Sequence, residues 1–164
     1  MDDLIITRLA KEEINRFKAE MKTQFKMSDL GLLSFYIRIK VQQSNNGNDI
    51  TLCQAHYTTQ ILKMTGMRDC NPAHTQMEER LKLSHNMTAE MDATEYRRLV
   101  GSLCYLVHTR PDPAFCVEFV SRFMERPTQE HMTAVKRILR YVAGTINYGC
   151  HYRKAEEGRL VGYT

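Results

Sequence analysis

The sequence lacks closely spaced cysteines, long apolar runs, internal repeats and a metal-binding arrangement of histidines. Its five cysteines are an odd number without a C-x-x-C pair, which argues against a zinc site or a disulfide framework and predicts free thiols. No two of the six histidines are four residues apart, as a helical zinc motif requires, and no Ser-His-Asp order indicates a hydrolase.

A membrane location is not expected either. No apolar run approaches the about 20 residues that a membrane-spanning helix needs, and no signal peptide precedes the first predicted element. The chain is therefore expected to be soluble and intracellular, either cytoplasmic or nuclear. Its 43% hydrophobic and 26% charged residues are ordinary for a globular protein, so wholesale disorder is not expected. The net charge of +4 is compatible with a polyanionic partner but does not identify one.

The first half of the chain mixes strand and helix patterns. β-Branched residues predict a strand at 4–7, and an apolar stripe then predicts a helix formed around Ile14, Phe17, Met21 and Phe25. Residues 33–43 alternate between apolar and polar side chains, which predicts one half-buried strand. An Asn-Asn-Gly-Asn turn at 45–48 and a return arm at 50–53 complete a predicted β-hairpin.

The second half is mostly helical. A helix is predicted over 54–65 and ends at Gly66. Residues 70–91 have no period and contain Pro72, which is typical of a domain boundary or of a segment that wraps a neighbour. Three amphipathic helices follow, at 94–109, from Pro111 onward and at 128–142, and the second is expected to be the most buried. Strands are predicted at 148–153 and 160–164. The fold class is therefore α+β.

Several strings resemble, in order and spacing, the polymerase of copia-type retrotransposons. They are MDDLIIT, FKMSDLGLLSFYIRIKV, ILKMTGMRDCNPAHTQM, YRRLVGSLCYLVHTRPDPAF, RILRYVAGT and VGYT. The resemblance implies that residues 1–69 are the C-terminal part of a reverse transcriptase palm and the start of its thumb. Residues 70–93 would be a linker, 94–146 a helical thumb and connection, and 147–164 the truncated start of a ribonuclease H domain.

By the same resemblance, Asp2 and Asp3 match the aspartates of the family's Tyr-Val-Asp-Asp active-site box and would be catalytic ligands of Mg²⁺. Polymerase chemistry uses two divalent metals about 3.5–4 Å apart, held by carboxylates from adjacent strands. The family's other metal-binding aspartate would lie upstream and is absent here. We therefore expect a fragment of an RNA-directed DNA polymerase that does not polymerise alone, unless the missing half is supplied in trans.

The predicted hairpin looks like the family's primer grip, which implies nucleic-acid contact by Phe35, Tyr36, Ile37 and Arg38. The family commonly has glycine where Arg38 stands, and glycine permits close approach of a backbone to nucleic acid. Leu32 and Gln76 also depart from the family pattern, as expected of a sequence that drifts without selection. The alternative is a hairpin that only completes a sheet.

A second candidate nucleic-acid contact is the basic face formed by Lys136, Arg137 and Arg140, which the resemblance places beside an RNA or DNA template–primer duplex. Contact with phosphates would be independent of sequence and sensitive to salt. The alternative is a solvated helix face. Arg110, which precedes Pro111 and Asp112, is expected to make a local pairing rather than a nucleic-acid contact.

Two other functions remain open from the sequence. One is a nucleic-acid-binding module without catalysis. The other is a helical scaffold that docks on a protein through the apolar faces of residues 94–142.

Overall fold

The structure, a computed structural model, describes residues 4–7, 10–44, 49–84 and 91–154. The chain divides into two compact units, Met1–Ser34 and Phe35–Thr164.

The first unit contains helix α1, Lys11–Gln24, where the apolar stripe predicted a helix. Glu12 and Glu13 lie in its first turn and Lys22 in its last, which suits the helix dipole at both ends. After the helix, the Asp29 carboxylate accepts from the Gly31 amide and from Lys18 Nζ, each at 3.0 Å. The strand predicted at 4–7 is wrong, because these residues have no partner strand among those that the structure describes.

The second unit contains a four-stranded antiparallel sheet of order β1-β2-β3-β4. Its strands are β1 Phe35–Tyr36, β2 Ile39–Gln43, β3 Asp49–Cys53 and β4 Gly149–Arg153. The β2–β3 hairpin confirms the prediction, although the turn residues 45–48 lie outside the described residues. The single strand predicted over 33–43 is wrong, because a tight turn at 37–38 separates β1 from β2.

Strand β4 pairs with β3 along its whole length, so that Cys150 lies opposite Leu52. The strand predicted at 148–153 is thereby confirmed, and it belongs to the same sheet as the hairpin. The strand predicted at 160–164 lies outside the described residues, and the assignment of 147–164 to a ribonuclease H domain stays a prediction.

The second unit also contains four helices, and each occurs where the sequence predicts one. They are α2 Ala55–Met64, α3 Ala93–Leu106, α4 Ala114–Ser121 and α5 Gln129–Gly144. Asp92 caps α3 by accepting from the Thr94 amide at 2.9 Å. The expectation that the second of the three predicted helices is the most buried is wrong: half of α5 is buried, whereas Phe115 of α4 is 72% exposed.

The apolar faces of α2 to α5 pack against one another to form the core. Ile61, Leu103, Ile138 and Leu139 have no exposed surface, and each contributes about 1.5–3 kcal/mol by leaving water. The faces of α3, α4 and α5 are therefore largely occupied within the chain, which weakens the scaffold hypothesis. Among the described residues, no helix is long and apolar enough to cross a membrane.

The segment that follows α2 is described over residues 70–84. It wraps a neighbouring element, which is one of the two alternatives that the sequence left open for this segment. The Ala73 amide donates to the Arg140 carbonyl at 3.2 Å. Side chains from this segment, including Met77, Leu81 and Leu83, pack on the core, and its described residues 70–84 form no helix or strand.

Candidate nucleic-acid interface

The tip of the β1–β2 hairpin has an unusual backbone. Tyr36 pairs with Ile39, so that Ile37 and Arg38 alone form the turn, with φ angles of 44° and 61°. Positive φ at both central residues defines a type I′ turn, which favours Asn-Gly and disfavours β-branched residues such as isoleucine. A glycine at position 38, which the sequence resemblance implies is usual, would have a local reason besides close approach to nucleic acid: the backbone there is left-handed.

Two tyrosines lie beneath this turn. Tyr105 of α3 donates a hydrogen bond from its hydroxyl to the Ile37 carbonyl. The Arg38 guanidinium lies 5.5 Å from the ring centroid of Tyr57, and the rings of Tyr57 and Tyr105 meet edge to face at 5.1 Å. Ile37, Arg38, Tyr57 and Tyr105 together line a cavity of about 260 Å³, which we call the tip cavity.

Sequence reasoning missed both tyrosines as part of this site. Tyr57 falls on the apolar stripe of its helix and is buried, so the pattern marks it only as a core residue. Tyr105 is half-buried at the edge of the core, and its contact with Ile37 spans 68 residues of sequence. No local signal connects either residue with the turn.

The outer side of the tip is apolar. Phe35 is 55% exposed and Ile37 is 58% exposed, whereas Tyr36 between them is half-buried. The predicted inward alternation therefore holds in β2, where Ile39 and Val41 are half-buried and alternate with an exposed lysine, but not at the tip. The four predicted contact residues stay together at one end of the sheet, and they present apolar groups beside a cation.

The basic face of α5 is only partly available for a ligand. Arg137 donates to Glu78 Oε1 and to Thr75 Oγ1, each at 3.0 Å, and Arg140 Nε donates to the Asn71 carbonyl at 2.7 Å. Both arginines thus attach the segment that follows α2 to the helix. Lys136 is exposed beside them. A nucleic-acid contact by this face stays a prediction, and its arginines already have partners within the chain.

The prediction of a local pairing for Arg110 is confirmed. Its side chain is 1% exposed and contacts Asp112 through both carboxylate oxygens, with Nε at 2.8 Å and Nη2 at 2.7 Å. It also donates to the carbonyl and the hydroxyl of Thr145, each at 2.8 Å. The two bonds to Thr145 join the α3–α4 connection to the end of α5, and the two bonds to Asp112 lie within that connection. The Thr-Arg-Pro-Asp string is thus a structural element.

Burial would raise the pKa of Asp112, but hydrogen bonds from Arg110 and Tyr141 outweigh it and hold the pKa below its ordinary value. Tyr141 donates its hydroxyl to the same carboxylate at 2.8 Å. Burial and this bond raise the pKa of Tyr141. The network is therefore most stable with Asp112 ionised and Tyr141 protonated.

The predicted metal ligands, Asp2 and Asp3, lie outside the described residues. Their carboxylates are the hard oxygen donors that Mg²⁺ prefers, so the donor chemistry fits the ion. Within residues 4–7, 10–44, 49–84 and 91–154, no three His, Cys, Asp or Glu side chains converge as a metal site.

Comparison with known proteins shows which family and which relatives the chain resembles. Residues 1–79 match the family described as reverse transcriptase (RNA-dependent DNA polymerase). The chain is 36% identical over 165 residues to the retrovirus-related Pol polyprotein from transposon RE1 of Arabidopsis thaliana, a match that covers 100% of this chain and 11% of that protein. It is 36% identical over 172 residues to the Pol polyprotein from transposon TNT 1-94 of Nicotiana tabacum, covering 100% of this chain and 13% of the relative.

A shorter relative is an uncharacterised mitochondrial protein of Arabidopsis thaliana, 34% identical over 154 residues, which cover 94% of this chain and 63% of that protein. No solved structure matches the chain. The chain is therefore similar over its whole length to part of the copia-type retrotransposon Pol polyproteins, and its residues 1–79 match the reverse transcriptase family.

Proposed function

We propose that this chain supplies the part of an RNA-directed DNA polymerase that holds the primer–template duplex, and that it does not polymerise DNA unaided. The observation that carries the proposal is the tip of the β1–β2 hairpin. There, exposed Phe35 and Ile37 stand beside the Arg38 cation at a turn whose backbone is left-handed.

The chemistry of the tip suits a nucleic-acid backbone. A cation attracts phosphates without regard to sequence, and apolar side chains pack on sugars and base edges. Arginine at position 38 does not block the approach, because its guanidinium lies over the Tyr57 ring. The tip therefore keeps an open outer surface although the family's glycine is replaced.

Catalysis would need more than this chain is expected to bring. Asp2 and Asp3 would hold Mg²⁺, which stabilises negative charge on the transferring phosphoryl group when it is bound. Two carboxylates that are adjacent in sequence do not reproduce a set delivered from neighbouring strands. We infer that activity requires the remainder of the palm, supplied in the same polypeptide or in trans.

The binding proposal is tested by titrating the chain with a primed duplex at increasing salt. We expect affinity to fall steeply with salt, and we expect Arg38→Gln to reduce the salt slope by about 1. The matched control is Arg153→Gln, an exposed arginine on the opposite edge strand, which should leave the slope unchanged. Absence of binding at low salt would refute the proposal, as would a slope that responds equally to both variants.

The catalytic part is tested by primer extension with Mg²⁺. We expect no extension by the chain alone. Extension that disappears in Asp2→Asn would show that the chain polymerises by itself and would overturn this part of the proposal.

A further inference from the structure

We propose that Tyr105 is a positioning residue that holds the hairpin tip in its left-handed conformation, and that duplex binding depends on this contact. The inference deepens the proposed function, because it concerns how the same tip is kept ready for nucleic acid.

The turn needs support from outside its own residues. Ile37 and Arg38 both have positive φ, and neither is glycine or asparagine, the residues that adopt this region readily. Isoleucine is especially unsuited, because its branched Cβ crowds the backbone there. Such a conformation persists only when the surrounding structure determines it.

Tyr105 supplies that support. Its hydroxyl donates to the carbonyl of Ile37, which is the peptide unit at the centre of the turn. The ring is carried by α3, whose neighbouring side chains Leu103 and Leu106 are almost completely buried. The donor is therefore delivered from a rigid helix rather than from a flexible loop, so it can fix the peptide orientation.

A second contact acts on the other turn residue. The Arg38 guanidinium lies over the face of Tyr57, and Tyr57 in turn packs edge to face against Tyr105. The Tyr57 hydroxyl donates to the Ser102 carbonyl at 3.4 Å, which attaches α2 to α3 beside the turn. The contacts around the tip cavity thus join both left-handed residues to the helical part of the unit. Because position 38 is not glycine, this chain depends on that attachment.

The test combines Tyr105→Phe with Arg38→Gly. Tyr105→Phe removes only the hydroxyl, so the turn should leave its left-handed conformation part of the time and duplex affinity should fall about five-fold. Arg38→Gly lowers the cost of positive φ. In the Arg38→Gly background, Tyr105→Phe should therefore reduce duplex affinity by less than about two-fold, because glycine already relieves the cost of positive φ at position 38.

The control is Tyr96→Phe, which removes a comparable hydroxyl-to-carbonyl bond, to Val120 at 2.7 Å, in the core and away from the tip. It should lower the melting temperature without changing duplex affinity at a temperature where the variant is folded. Equal losses of affinity in both phenylalanine variants would show a general effect of stability and would overturn the inference.

A second readout does not need nucleic acid. Left-handed residues with a single Hα give a strong intraresidue amide-to-Hα nuclear Overhauser effect. We expect this signal to weaken at Ile37 and Arg38 in Tyr105→Phe and to recover at Ile37 in the double variant, where position 38 is glycine. An unchanged signal in Tyr105→Phe overturns the inference. If the wild-type chain does not bind duplex but the signal behaves as expected, then the proposed function fails while Tyr105 still holds the turn, and the claim that binding depends on it is overturned.

Discussion

Replacing Asp112 by asparagine should destabilise the fold far more than removing an exposed ion pair. The Arg110 guanidinium is 1% exposed and Asp112 is 28% exposed, and two hydrogen bonds of 2.7 and 2.8 Å join them. Asparagine keeps one acceptor oxygen but removes the negative charge, so Arg110 would stay buried with a weaker partner. Breaking one side of a buried pair costs about 3–5 kcal/mol.

Partial exposure of Asp112 and the remaining acceptor reduce this cost, so we expect a loss of about 2–3 kcal/mol in the free energy of unfolding. For a chain of this size, that loss corresponds to a fall in melting temperature of about 4–12 °C. Urea unfolding followed by far-ultraviolet circular dichroism at neutral pH measures it.

The matched control is Glu118→Gln, which removes the 3.2 Å pair with Arg122, whose side chains are 71% and 61% exposed. Exposed pairs of this kind contribute little, so this variant should be indistinguishable from wild type. Equal stability losses in the two variants would show that burial of Arg110 does not amplify the effect of losing its partner.

The pH dependence gives an independent check with a fixed sign. The folded-state pKa of Asp112 is lowered, so its ionised form stabilises the fold at pH values above the unfolded-state pKa of about 3.9. That contribution is lost as the pH falls through the lower folded-state pKa. The difference in stability between wild type and Asp112→Asn should therefore shrink in acid. If the stability difference between wild type and Asp112→Asn stays constant as the pH falls below the folded-state pKa of Asp112, the effect is not caused by the carboxylate charge.

Two further pairs of variants test other parts of the structure. Gly149→Ala should disrupt the β3–β4 pairing and lower stability by more than about 2 kcal/mol, because an added Cβ would lie 2.1 Å from the Leu52 carbonyl oxygen. Gly101→Ala in α3 meets no atom within 4 Å and should instead raise stability by up to about 1 kcal/mol; thermal melting of both variants decides the sign. Arg137→Ala should lower stability by about 1 kcal/mol by releasing the segment that follows α2, whereas Lys136→Ala should leave the melting temperature unchanged. If α5 binds duplex, Lys136→Ala should reduce the salt slope of binding even though the melting temperature is unchanged. If Lys136→Ala changes neither the melting temperature nor the salt slope, that face is a solvated helix surface.

The sequence by itself determined the elements that depend on neighbouring residues. The 3.6-residue stripes predicted α1 to α5, and the period of two predicted β2 with its return arm β3. The α+β class follows from those elements. Arg110 and Asp112 are two residues apart, so their pairing was also accessible from sequence, although the depth of their burial was not.

Only the tertiary structure decided the features that join distant segments. The turn at Ile37 and Arg38 interrupts an alternating pattern with residues that ordinarily continue a strand, and its supporting hydroxyl comes from Tyr105, 68 positions away. The partner of Arg137 is 59 positions away, and β4 joins the sheet from the far end of the described chain. Local patterns record which face of an element is apolar, but not which other element will meet it. That choice depends on how all the faces pack together, and here the packing makes an unfavourable turn possible.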